Sequence, residues 1–451
     1  MMTAVASLTL RRWLLPLVFF QVYLGLTVWL FFFGPWPWDV DNPVQLFGYL
    51  AAAQVAIAVG YLMSWRRLSR LRPSSAAREG ELHAGIAFLK FGLIVSALLA
   101  LPSSLSRTGS LLPDVLGGIA NAGAAYNENF ERLEAGNAFV VVEYVRMLLS
   151  PWLIGVFPLL VMYWGRLDWS WRAFGFAMVA LNLAMFLATG TNKGIADVVV
   201  TLPWLVVAAV WSGTLRIRKL GLKLGFTIVL LVAAFLYFFG AGQQQREGSG
   251  SEFGSFFTGT AVLLADSGHF ISSWLPEAIR PIFEALSRYV VHGYYALALA
   301  LTTDTPSTLG VGHSMFLARN ADAIIGSNFF VWQSIPGVLE QRDSWGMFLF
   351  WHSIYPWLAS DFGFAGALVV IGALAWLLGL AWGHALASAS ARWTVMLYLL
   401  LVLFFYVPAN NQIFQSGESA FAFFILLVML ARGSGSRRIP AQAQTAERLA
   451  T

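Results

Sequence analysis

Apolar runs long enough to cross a lipid bilayer recur along almost the whole of this chain. A transmembrane helix needs about 20 predominantly apolar residues. Only 11% of the residues are charged, against about 25% in a typical soluble protein. The chain is therefore predicted to be an all-α polytopic membrane protein with about ten transmembrane helices. The runs start near Trp13, Val44, Gly85, Ala138, Ala173, Ile195, Leu224, Phe362, Trp393 and Phe421.

A further apolar run, residues 289–301, is too short to cross the bilayer alone. It is predicted to be a re-entrant or interfacial helix, or half of an eleventh span. The first run has no small-residue cleavage site after it, so we expect it to be retained as a span.

Arginine and lysine are concentrated in alternate links between these runs. Cytoplasmic loops of membrane proteins carry an excess of both residues, so this alternation sets the orientation. It predicts that the basic links and both termini are cytoplasmic and that the other links face outward. The basic positions are Arg11, Arg12, Arg66, Arg67, Arg70, Arg72, Arg78, Arg166, Arg172, Arg216, Arg218, Lys219, Lys223, Arg392, Arg432, Arg437 and Arg438.

The outward links are short except for 105–137 and 243–361. An unstructured loop of about a hundred residues is rare in a compact protein, so the second is predicted to be a helical cap. The chain is thus divided into four parts. Residues 1–242 form transmembrane helices 1–7, 243–361 form the cap with the re-entrant segment, 362–432 form helices 8–10, and 433–451 form a disordered cytoplasmic tail.

Several cations lie on the outer side, against the trend of the other basic residues. Lys193 lies in a very short turn, ATGTNKGIAD, and Arg246 directly follows the seventh run. Cations at this depth suit a diphosphate group, because charge-assisted hydrogen bonds to phosphate are strong and arginine can be bidentate. The alternative is that each one contacts lipid phosphate or a surface carboxylate. The cations considered for this role are Lys193, Arg246, Arg280, Arg288, Arg319 and Arg342.

Two opposite charges, Glu143 and Arg146, lie three residues apart within the fourth run. This spacing places them on one helix face. A charge inside the bilayer usually faces a partner or a polar cavity. The pair is predicted either to be a structural ion pair or to place Arg146 in a cavity that is open to the outside.

Four histidines, at 269, 292, 313 and 352, fall in the outer region. Neutral imidazole can take a proton from a sugar hydroxyl near neutral pH. His352 is the best placed, because it opens the stretch HSIYPWLASDFGFAG that leads into the eighth run. His313 lies in the glycine-rich segment LGVGHSMF.

A metal site has little support in the sequence. The chain contains no cysteine, and the histidines do not show ligand spacing. Asp39 and Asp41 form a short D-x-D pattern after the first run, of the kind that some membrane glycosyltransferases use to hold a metal. Its alternative is a solvated turn before Pro43.

Three segments in this order resemble the bacterial O-antigen polymerase and O-antigen ligase superfamily. They are TGTNKG at 189–194, LGVGHSMF at 309–316 and HSIYPWLASDFGFAG at 352–366. The third looks most like the oligosaccharide repeat-unit polymerases. Ser353 and Asp361 depart from the pattern of the ligases, and Lys193 stands where the first motif usually has arginine.

The resemblance implies a polymerase of polyprenyl-diphosphate-linked oligosaccharide repeat units, for O-antigen or exopolysaccharide, in the bacterial inner membrane. Donor and acceptor would both be lipid-linked glycans at the periplasmic face, and the anomeric configuration would invert. The resemblance implies no metal or other cofactor. Membrane lipids are expected partners, nucleic acid is not, and the partners could include a chain-length regulator protein.

The resemblance also implies roles for residues. His352 would be the base, with Asp361 as a rival base or as its orienting partner. The diphosphate would be bound by Lys193, Arg246, Arg288 and Arg319. The remaining expected residues of the substrate cavity are Arg146, Tyr355 and His313.

Three other functions stay open. A ligase would move the glycan onto lipid A core or a protein, so only its acceptor differs. A lipid-linked sugar transporter would distribute charges through many spans. A metal-dependent membrane glycosyltransferase would use Asp39 and Asp41.

Overall fold

The computed structural model describes residues 8–69, 74–134, 139–216, 254–277, 279–304 and 307–435, with a few single positions between 225 and 236. The described chain is mostly helical. The helices are α1 Leu10–Trp13, α2 Leu15–Phe33, α3 Pro43–Leu68, α4 Ser75–Leu98, α5 Ala100–Thr108, α6 Val115–Ala120, α7 Ala122–Glu134, α8 Val140–Leu148, α9 Ser150–Tyr163, α10 Trp169–Ala188, α11 Lys193–Trp211, α12 Phe270–Trp274, α13 Arg280–Ala300, α14 Met315–Ile325, α15 Phe329–Gln333, α16 Ile335–Asp343, α17 Ile354–Ser388, α18 Ala391–Tyr406 and α19 Gly417–Gly435.

Within the described residues, six helices are long and apolar enough to cross a membrane, or seven if the bent pair α8 and α9 is one span. The predicted all-α membrane fold is therefore confirmed at this level. Ten spans and the sides of the termini stay predictions. The run near Leu224 and most of the predicted tail lie outside the described residues, and α18 is apolar but shorter than the others.

The basic links meet at one end of the helix bundle. The guanidinium of Arg12 lies 5.4 Å from the ring centre of Trp211, and the Arg12 carbonyl accepts a 3.0 Å hydrogen bond from the Trp382 indole. Tyr163, at the end of α9, donates a 2.7 Å hydrogen bond to the carbonyl of Ala389, in the link before α18. This grouping is what the alternation of charged links predicts.

The segment after residue 253 packs on the opposite end. It begins with an antiparallel hairpin of β1 (Ser255–Phe257) and β2 (Val262–Leu264) and continues as helices α12–α16. The Trp36 indole, in the link after α2, donates a 2.9 Å hydrogen bond to the carbonyl of Glu284. The short apolar run 289–301 is mostly part of the 21-residue helix α13, whose Tyr294 hydroxyl lies 2.9 Å from that of Thr27.

Small residues bring α3 and α17 close together. A Cβ placed on Gly60 of α3 would lie 1.9 Å from the carbonyl oxygen of Gly372 on α17. One placed on Gly379 would lie 2.2 Å from the Ser64 hydroxyl. In membranes, where lipid is as apolar as leucine, such small residues allow backbones to approach and pack.

Two of the apolar runs are interrupted. The fourth run is not one straight span, because α8 and α9 are bent by 64° where Ser150 and Pro151 begin the second helix. Within α17, Gly363 has φ 65° and ψ 170°, a conformation that favours glycine. Asp361 therefore lies just before a break in the eighth run.

Candidate functional site

A cavity of about 540 Å³ lies between α4, α5, α7–α11, α18 and α19. It is near the end of the bundle opposite the basic links, because residues of the 189–192 and 407–416 links line it. Its lining combines apolar residues, such as Leu153, Met178 and Val402, with charged side chains. A cavity with both kinds of residue suits an amphipathic ligand.

The first charged group in the cavity is a carboxylate held between two arginines. Glu418 lies 2.5 Å from Arg107 and 2.8 Å from Arg146. Arg146 also donates a 2.7 Å hydrogen bond to the Ser103 hydroxyl. The expected partner of Arg146, Glu143, instead accepts a 2.7 Å hydrogen bond from Ser106. The prediction of a Glu143–Arg146 ion pair is therefore wrong, and the prediction that Arg146 lines a cavity agrees with its position.

Helix ends explain why these charges are stable here. Arg146 lies in the last turn of α8 and Glu418 in the first turn of α19. A cation at a helix C-terminus and an anion at an N-terminus both interact favourably with the helix dipole. The bend after α8 brings its last turn to the cavity beside α19.

The second charged group lies at the start of α11. Lys193 is its first residue, and its ammonium lies 2.7 Å from the Asp197 carboxylate. The preceding turn is tight: Gly190 has φ 60°, and a Cβ there would lie 2.2 Å from the Ala122 carbonyl oxygen. Thr191, in the same turn, also lines the cavity. Lys193 and Arg146 therefore line the same cavity.

The charges that line the cavity are balanced. Arg107, Arg146 and Lys193 are cations, and Glu143, Asp197 and Glu418 are carboxylates. An anionic ligand would have to compete with Glu418 for the two arginines. Neither Arg107 nor Glu418 was predicted to have a role, although Arg107 is a cation in an outer link and Glu418 is an acid at the start of an apolar run.

His352 does not line this cavity. Its side chain is 1% exposed, and its Nδ1 lies 2.9 Å from the carbonyl oxygen of Phe350. Burial lowers the pKa of His352 to about 3, so it is a weak base. In this arrangement it is fixed between the loops around Trp345 and Ala409 rather than presented to a substrate.

We expect His352 to make the folded protein less stable as the pH falls from about 6.5 to about 3. The unfolded chain takes up a proton near the ordinary pKa of 6.5, but the folded protein does so only near 3. Because protons then favour the unfolded state, the free energy of unfolding falls by up to about 1.4 kcal/mol per pH unit. Above pH 6.5 the residue has no effect. SDS titrations in mixed micelles at several pH values should show that the free energy of unfolding of His352→Gln falls less steeply with decreasing pH than that of wild type. An equal dependence on pH in the two proteins would mean that other residues cause the effect.

Asp361 binds the glycine-rich loop and does not contact His352. Its carboxylate accepts hydrogen bonds from the backbone amides of Gly310 (2.9 Å), Gly312 (3.2 Å) and His313 (2.8 Å). It also accepts one from Thr308 and lies 2.7 Å from Nδ1 of His313. Successive amides around one carboxylate form an anion-binding nest. Asp361 is therefore the orienting partner of His313, and the geometry joins the second and third motifs.

The other expected site residues are scattered. Arg288 is buried against the rings of Trp36 and Phe256, with a 3.1 Å hydrogen bond to the Ser255 carbonyl. Arg319 is exposed on α14, over the ring of Phe348. Neither lines the cavity.

Two further positions and the D-x-D pattern complete the comparison with the sequence. Tyr355 is 2% exposed and packs on the ring of Tyr49, outside the cavity lining. Arg246 lies outside the described residues. Asp39 and Asp41 are exposed, and no group of three or more His, Asp or Glu suited to a metal occurs in the part of the chain that the structure describes.

No family model, curated protein or solved structure matches this chain. The cavity and its charged groups are therefore the basis for assigning a function.

Proposed function

We propose that this protein is a membrane glycosyltransferase that polymerises polyprenyl-diphosphate-linked oligosaccharide repeat units. The observation that carries the proposal is the cavity, whose lining combines three cations with apolar residues. A lipid-linked diphosphate has both properties, a charged group and a hydrocarbon chain. The basic links at the other end of the bundle favour an outward-facing position for the cavity.

Arg107 and Arg146 would bind the diphosphate. Two guanidinium groups already converge on the Glu418 carboxylate, so their donors are arranged for an anion. Phosphate oxygens would displace Glu418 from at least one arginine, because bidentate arginine–phosphate bonds are strong. Lys193, which lines the same cavity, would hold charge that develops on the leaving diphosphate.

The polyprenyl chain would enter past α10. This helix contributes Met178, Asn182 and Phe186 to the cavity lining. It is also the least buried of the six candidate spans, with only 11% of its apolar window buried. A weakly packed helix between the cavity and the lipid would allow a lipid-linked substrate to enter sideways.

The function is tested by incubating the purified protein, in lipid, with a polyprenyl-diphosphate repeat unit. A ladder of lengthened glycans is expected. Arg146→Met should reduce its rate by at least about 100-fold, the effect of removing one group that stabilises transition-state charge. Arg67→Met is the matched control and should leave the rate unchanged, because Arg67 is exposed in a basic link outside the cavity.

Other outcomes would assign other functions. Transfer only to an added lipid A core acceptor would indicate a ligase. Movement of the lipid between leaflets without glycan transfer would indicate a transporter and overturn the enzyme. One observation favours transport as the second candidate: charged residues face a membrane cavity beside a broken span, an arrangement that transporters use.

A further inference from the structure

Asp197 has a buried carboxylate oxygen without a partner. The residue is 6% exposed, and Lys193 binds Oδ2 at 2.7 Å. Oδ1 has no hydrogen-bond partner among the described residues. Buried polar atoms are nearly always paired, so such an oxygen points to a missing ligand or water. Because Asp197 lines the cavity, that ligand would come from the cavity.

The neighbouring Asn192 shows the same property. It is 8% exposed, directly precedes Lys193, and neither atom of its side-chain amide has a partner among the described residues. It is the N-cap residue of α11, but its side chain makes no capping hydrogen bond. Asn192 is not among the described residues that line the cavity, whereas Asp197 is, so the unpaired acceptor on a cavity-lining residue here is Oδ1 of Asp197.

The other two carboxylates that line the cavity are engaged. Glu418 holds both arginines, and Glu143 accepts from Ser106 and lies 3.9 Å from Arg107. Of these three carboxylates, within the described chain, Asp197 alone has a buried oxygen with no partner. The cavity therefore has one group of residues suited to an anion and another suited to a hydroxyl.

We propose that Asp197 is the catalytic residue that accepts the proton of the acceptor sugar hydroxyl; this rests on the proposed function. The hydroxyl oxygen attacks the anomeric carbon of the donor and forms the new glycosidic bond. The bond between that carbon and the diphosphate oxygen breaks, and its electron pair leaves with the polyprenyl diphosphate. The hydroxyl proton passes to Oδ1 of Asp197.

Lys193 is a positioning residue in this step. By holding Oδ2, its ammonium fixes the carboxylate and leaves Oδ1 without a partner in the described part of the chain. Lys193 also lines the cavity, so its charge can act on the leaving diphosphate as well as on the carboxylate.

The experiment compares Asp197→Asn with wild type in the ladder assay and in binding of polyprenyl diphosphate that carries no sugar. We expect the rate to fall by at least about 100-fold, the usual effect of removing a general base. Binding of the diphosphate should change by less than about threefold, because the arginines remain. Asp343→Asn, the same acid-to-amide change at a carboxylate outside the cavity, is the control and should keep the wild-type rate.

Formate separates a base from a structural carboxylate. Asp197→Ala leaves space beside Lys193, so added formate should restore a measurable part of the rate by taking the proton. Should both variants fail to fold, Asp197→Glu keeps a carboxylate but moves it by one methylene, and a rate at least about tenfold lower is expected. A wild-type rate in Asp197→Asn or Asp197→Glu, or no rescue of folded Asp197→Ala, would overturn the role of Asp197. If wild type itself makes no ladder, the proposed function fails instead.

Discussion

Glu418→Gln is expected to lower the free energy of unfolding by about 3 kcal/mol, the lower end of the range for breaking a buried ion pair. Glutamine has nearly the shape of glutamate but no charge. Arg146, whose side chain is 8% exposed, would then keep its positive charge in the membrane region without its carboxylate partner. Arg107, at 24% exposed, would lose its closest partner as well.

The measurement is an SDS titration of the purified protein in mixed micelles, with Asp343→Asn as the control. Asp343 pairs with Arg342 at 2.7 Å, but that arginine is 39% exposed. Exposed ion pairs contribute about 0–1 kcal/mol, so this acid-to-amide change should have little effect. Equal losses in the two variants would contradict the interpretation that burial makes the Glu418 pair important.

A double variant sharpens the test. Arg146→Met removes the charge that Glu418→Gln would leave unpaired, so the two changes together should cost less than the sum of the single changes. Residues in one ion-pair network show coupling energies of about 0.5–3 kcal/mol. Additive losses would mean that Arg146 and Glu418 do not stabilise each other.

The second large effect is expected for Gly60→Ala, which should separate α3 from α17. The added Cβ would lie 1.9 Å from the Gly372 carbonyl oxygen, far inside van der Waals contact. The neighbouring atoms are backbone, so the clash is relieved only by moving a whole helix. We expect a loss of several kcal/mol, at or above the range of about 1–3 kcal/mol for overpacked cores.

Gly48→Ala is the matched control on the same helix. A Cβ at Gly48 meets no atom within 4 Å. Alanine in a helix is about 1 kcal/mol more favourable than glycine, so this variant should be as stable as wild type or more stable. Gly60→Ala should therefore lower the SDS concentration at which half of the protein is unfolded, whereas Gly48→Ala should leave it unchanged or raise it. A stable Gly60→Ala protein would mean that α3 and α17 are not in close contact.

The positions of the helices were largely predictable because hydropathy is a local property. About 20 apolar residues must form a helix in the bilayer, since no water is present to hydrogen-bond the backbone. The runs near Val44, Ala173 and Ile195 accordingly became α3, α10 and α11. The prediction missed two breaks, the bend between α8 and α9 and the break at Gly363. The first occurs at Ser150 and Pro151 and the second at a single glycine. These few residues barely change the mean hydropathy of a run, so hydropathy does not reveal them.

The membership of the site was not predictable in the same way. Polarity and position marked Lys193 and Arg146 as candidates for the substrate site, but did not indicate that Arg107, Asp197 and Glu418 line the same cavity. The sequence also associated Asp361 with His352, whereas the structure pairs it with His313, 48 residues away.

The sequence by itself determined that this is a helical membrane protein, which links are basic, and which residue types could meet a lipid diphosphate. The tertiary structure alone decided that Glu418 lies between Arg107 and Arg146 and that Asp197 keeps an unpaired oxygen at the same cavity. The physical reason is the range of each force. The apolar bilayer acts on each segment separately, so each span can be predicted from its own residues. A charge in the membrane region is instead stabilised by a partner on a helix that can be distant in the sequence. Arg146 and Glu418, for example, are 272 residues apart.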